Sequence, residues 1–208
     1  MTATLYDTIR RIVQEEMGQV RTAELAVVEE QHPDEFASSV KLRDSGIVLR
    51  KVPVATQRIG AVSLPAVGDL VLVQFVGGDV NAPIITGRLY NDEDRPPAND
   101  DGQAILHLPL DAGDDDAVHW ELHSGDKREI VLKLGGGLEL NLRDDDPVVE
   151  LSVDGGKATL KIERDGAVTL ESQGNLKVKG AEVSLEGDSI KVEASGELNL
   201  KGAKVNLN

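Results

Sequence analysis

The feature that most constrains this chain is a short apolar repeat near its C-terminus. Pairs of aliphatic residues at i and i+2 recur as Val168/Leu170, Leu176/Val178, Val183/Leu185, Ile190/Val192, Leu198/Leu200 and Val205/Leu207. Their first members are spaced 8, 7, 7, 8 and 7 residues apart, and glycines at 166, 174, 180, 187, 196 and 202 punctuate the intervals. Spacing of two within a pair is the strand period, and the glycines supply turns. A fixed period of this kind means strands stacked along one axis. Each strand is about five residues long and carries one narrow apolar stripe. A single chain has nothing to bury such a stripe against, so other copies must cover it. Closed cyclic symmetry about the long axis does so, and three copies form the simplest prism. The repeat therefore predicts an intertwined trimeric β-helix. The pairs Val168, Leu170, Leu176, Val178, Val183, Leu185, Ile190, Val192, Leu198 and Leu200 are its expected core and trimer contacts. Less regular units precede them, including Val118/Trp120/Leu122, Ile130/Leu132/Leu134 and Leu138/Leu140/Leu142.

Upstream, the pattern changes. Residues 19–91 alternate as short strands: Leu25 to Val28, Val40 and Leu42, Ile47 to Val54, Leu70 to Val76, and Ile84 to Leu89. The fourth run is apolar on both faces, as a central strand should be. Gly77-Gly78-Asp79 turns the chain into the last run. Five short strands in about 70 residues predict a small OB-type barrel. Before them, Leu5, Ile9, Ile12 and Val13 lie at i, i+4, i+7 and i+8 and share one face of a predicted helix over 4–17. So short a helix needs something to dock on, either its own domain or a partner. The expected organisation is a helix in 1–18, a barrel in 19–91, an acidic linker in 92–116 and a β-helix in 117–208. The fold class is all-β.

Charge locates the junction. The net charge of −15 comes from 22 basic and 37 acidic residues, and residues 92–126 alone carry 1 basic and 11 acidic groups. That stretch includes Pro96-Pro97, and its composition breaks regular structure. Residues 1–91, with 9 basic and 11 acidic groups, lack the basic surface of a nucleic-acid binder, and five aromatic rings in the whole chain offer few stacking platforms. No cysteine is present, which excludes disulfides, thiolate metal sites and a cysteine nucleophile. The N-terminus lacks the apolar core of a signal peptide, so synthesis in the cytoplasm is expected.

Other chemistry is thin. His119, Glu121 and His123 share a strand face and could hold a metal, although they serve equally as the polar side opposite Val118, Trp120 and Leu122. Asp111, Asp114, Asp115 and Asp116 lack the spacing of a calcium loop. No nucleophile elbow, phosphate loop or paired acid in a cleft is indicated. The chain is expected not to be an enzyme and to need no cofactor.

The segment Pro65-Ala-Val-Gly68-Asp69-Leu-Val71-Leu-Val73-Gln-Phe75-Val-Gly77-Gly78-Asp79, followed by Pro83-Ile-Ile85-Thr-Gly87-Arg-Leu89-Tyr90-Asn91 and Pro96-Pro97, resembles the OB signature of phage baseplate assembly protein V and of the valine-glycine repeat spike of type VI secretion. The order of barrel and needle covers about 190 residues in the same sense. The resemblance implies a homotrimeric central spike at the tip of the inner tube of a contractile injection machine, driven through the target envelope. Larger relatives carry hub domains before the barrel. Here a separate hub or tube-initiator protein is implied, with Leu5, Ile9, Ile12 and Val13 its candidate contact. The histidine pair that holds iron at some tips has no counterpart after His123, so a PAAR-like tip protein capping Val205, Leu207 and Asn208 is implied. The other class weighed is a β-solenoid adhesin or tail fibre, which the scarcity of aromatic rings disfavours.

Overall fold

The computed structural model describes residues 5–11, 22–113 and 115–206. Residues 5–11 are helical, while Ile12 and Val13 lie outside the described residues. The chain divides into two compact units, 1–113 and 114–208.

In the first unit, alternation builds five antiparallel strands: β1 (Ala23–His32), β2 (Ala37–Leu42), β3 (Val48–Pro53), β4 (Leu70–Phe75) and β5 (Pro83–Leu89). Their order is β3-β2-β1-β4-β5. Residues two apart point to the same side, so Ala26, Val28, Val40, Leu42, Val52, Val71, Val73, Phe75 and Ile85 converge in one core. β4 lies between β1 and β5, the interior position its two-sided apolarity predicts. The curled sheet brings its outer strands together where Val54 forms a parallel bridge with Ile85 and the Ala55 amide donates to the Ile85 carbonyl at 2.8 Å. Gly77 takes φ of 63° in the turn after β4, a conformation glycine adopts without strain.

The expected linker over 92–116 is not wholly irregular. A strand, β6 (Gln103–Leu108), lies within it. Its sequence Gln-Ala-Ile-Leu-His-Leu lies in the longest run of the linker without a carboxylate, residues 102–110, so local β preference prevails there.

The second unit holds β7 (Val118–Ser124), β8 (Arg128–Leu134), β9 (Leu138–Arg143), β10 (Val149–Val153), β11 (Ala158–Ile162) and β12 (Val168–Ser172). They run as an antiparallel meander in the order β12-β11-β10-β9-β8-β7. This corrects one expectation. Residues 118–172 pair within their own chain instead of winding from the outset around other copies, because tight turns reverse the chain after every strand. Gly137, at φ of 72° in the turn between β8 and β9, lies close against the end of β10: a Cβ there would stand 2.9 Å from the Asp154 Cα. The Asp154 amide donates to the Gly137 carbonyl at 2.8 Å. After β12 the pattern ends, and no described residue from 174 to 206 belongs to a helix or a strand ladder.

Candidate functional site: an apolar face without a partner

The register of the meander sorts side chains by face. Trp120 lies opposite Leu132, Leu132 opposite Leu140, Leu140 opposite Leu151, Leu151 opposite Leu160, and Leu160 opposite Leu170. A second row runs beside it through Leu122, Ile130, Leu142, Val149, Ile162 and Val168. Both rows are unbroken across six strands and occupy the same face. No residue in them is fully buried, and Trp120 is 44% exposed. An apolar face this large and this exposed is a candidate interaction surface.

The opposite face is polar and better covered. Arg143 donates to Glu129 at 2.6 Å and to Glu150 at 2.8 Å, and Lys161 reaches Glu150 at 3.3 Å. The Arg143 hydrogen bond, with Lys161 beside it, holds the Glu150 carboxyl below the usual carboxylate range. The same bonds to Glu150 and Glu129 push the Arg143 guanidinium up. Asn141 donates to Glu139 at 2.8 Å and is buried together with Val131. Long charged side chains lie across one another here, whereas the aliphatic rows stay partly exposed.

His119, Glu121 and His123 belong to this polar face. The Glu121 carboxylate accepts from the Nε2 of His119 at 3.1 Å and from the Nε2 of His123 at 2.7 Å. Each imidazole thus has one of its two ring nitrogens on the carboxylate. No group among the described residues has a metal-binding arrangement, and Asp114 lies outside them.

The predicted needle residues separate into two sets. Val168 and Leu170 join the cross-strand rows through β12. Leu176, Val178, Val183, Leu185, Ile190, Val192, Leu198, Leu200 and Val205 follow without a ladder, between 51% and 73% exposed. Leu207 and Asn208, expected at the tip, lie outside the described residues. Leu5 and Ile9 of the expected hub contact are exposed. Sequence reasoning missed the contributions of β10 and β11, although Val149/Leu151/Val153 and Ala158/Leu160/Ile162 carry the same i, i+2 signal. It also missed the open groove between β3 and β5, about 630 Å³ and lined by Val48, Arg50, Lys51, Val76, Val80 and Ile84. No described helix is long and apolar enough to cross a membrane.

No curated protein sequence matches the chain significantly. The family model of the type VI secretion system/phage-baseplate injector OB domain matches residues 26–90, the span of β1 to β5 with its signature turn. Residues 26–90 are accordingly an OB domain of the type VI secretion and phage-baseplate injector family.

Proposed function

We propose that this chain is the central spike of a contractile injection machine, a homotrimer at the end of the inner tube that pierces the target envelope when the sheath contracts. The injector-type OB domain supports a structural role in a baseplate or spike. The observation that carries the reading furthest is the pair of partly exposed aliphatic rows on the meander, continued by exposed apolar pairs down to Val205. Three copies facing inward bury those rows against each other and leave the ionic face to water. Continuous strand pairing along such a shaft makes it stiff and slow to unfold, which suits a part that transmits force. Function is then mechanical, without catalysis. The helical face of Leu5 and Ile9 is available to a separate hub protein, and a PAAR-like protein closes the far end.

Mass by light scattering tests the reading. A trimer at micromolar concentration that survives detergent without heating is the expected result, together with co-purification on the tube tip of the assembled particle. A monomer refutes it.

A further inference from the structure

Residues 174–206 have no backbone ladder of their own, yet buried strands must pair every N–H and C=O. This inference rests on the trimeric reading above and concerns how neighbouring copies fit together. One repeat is a strand and a turn. In a threefold prism a strand occupies one face, and the turn carries the chain to the next. Symmetry then puts the same repeat of a second copy on that next face, beside the following repeat of the first. Neighbouring strands run parallel and are offset by one repeat, about 4.8 Å apart.

The charges of this chain discriminate that stagger from others. Counted from the first apolar residue of each pair, the third position outward reads Glu171, Lys179, Glu186, Glu193 and Lys201. The position before each pair reads Glu182, then Ser189, Glu197 and Lys204. An offset of one repeat sets Glu171 beside Lys179, Lys179 beside Glu186, Glu193 beside Lys201, and Glu197 beside Lys204. Its single like-charge pair is Glu186 with Glu193, and Glu193 already has Lys191 at 2.6 Å. Side-by-side pairing without an offset sets every charge against itself. An offset of two repeats sets Glu171 beside Glu186 and Glu182 beside Glu197, which cancels its two opposite pairs, Lys179 with Glu193 and Glu186 with Lys201. Directly opposed like charges destabilise strand pairing and opposite ones favour it. The segment 173–206 carries five lysines and five acidic residues, so it is neutral toward its own copy. We infer that the outward charges of residues 171–204 form a register code that locks three copies of this chain together with a stagger of one repeat, beginning at the outer edge of β12.

The absence of native cysteine makes the test direct. Full-length Lys179→Cys and Glu186→Cys chains are co-expressed, treated with a short bis-maleimide linker and run on a denaturing gel, with Glu193→Cys and Lys201→Cys as a second pair. Covalent dimers are expected in each mixture and in none of the variants alone. Cross-linking of Lys179→Cys alone overturns the stagger, and so does a mixture that stays uncross-linked while its mass is trimeric. A monomeric mass instead overturns the trimer reading, and the stagger with it.

Discussion

Arg143 on β9 reaches diagonally across to Glu150 on β10, its Nη1 2.8 Å from the carboxylate, while its Nε holds Glu129 on the other side. One guanidinium therefore fastens three strands on the ionic face, with all three side chains less than a third exposed.

The pH dependence follows from Glu150. Its folded carboxyl titrates below the ordinary value of 4.5, chiefly through the Arg143 hydrogen bond. A depressed carboxylate contributes stability above the unfolded pKa and loses it as pH falls through the folded one. The wild-type meander is thus expected to weaken from about pH 4.5 downward. Glu150→Gln should cost ~1 kcal/mol at neutral pH and flatten that acid limb. Thermal melts from pH 7 to pH 3 on both proteins measure the difference.

Leu140 sits in the middle of the first aliphatic row, between Leu132 and Leu151. In the proposed trimer, Leu140→Arg places a charge where three copies converge. The chain is expected to keep its antiparallel β content by circular dichroism and to run as a monomer by light scattering. A trimer of wild-type stability would remove this face from the interface.

Proteolysis reads the same assembly further down. If the wild-type chain assembles as proposed, trypsin is expected to spare Lys177 and Lys179 in it and to cut there in Leu140→Arg, while residues 23–89 resist in both. Equal cleavage in the two proteins would mean that the segment is not covered by assembly.

Turn geometry offers an independent check. Gly137 combines φ of 72° with a close approach to the Asp154 backbone, so Gly137→Ala should destabilise the second unit by about 1–3 kcal/mol. In the first unit, Leu42 is 1% exposed inside the core, and Leu42→Ala should cost about 2–5 kcal/mol. Denaturant titrations give both values.

The five-stranded sheet of the first unit was legible because its signals are local. The two-sided apolarity of Leu70 to Phe75 and the glycine turn at 77–78 each name their own structure. Residues 118–172 were harder. The i, i+2 pairs declare strands but not which strands they pair with, and period 2 is the same in a meander and in an intertwined helix. Pairing was decided by turn chemistry at Gly137, Asp154 and Gly166, where positive φ folds the chain back. β6 was hidden by its acidic surroundings. Nothing in one dimension shows Arg143 finding Glu129 and Glu150 on the two neighbouring strands.

The uncovered rows on the meander also set a condition on supply. If, as proposed, two further copies complete this face, the finished shaft depends on the third power of free chain concentration. Tenfold dilution then lowers the trimer-to-chain ratio about a hundredfold. Chains released slowly, one at a time, would wait with aliphatic rows in water and the edge of β12 open to any passing strand. Synthesis in bursts, many chains from one message, favours the shaft over the aggregate.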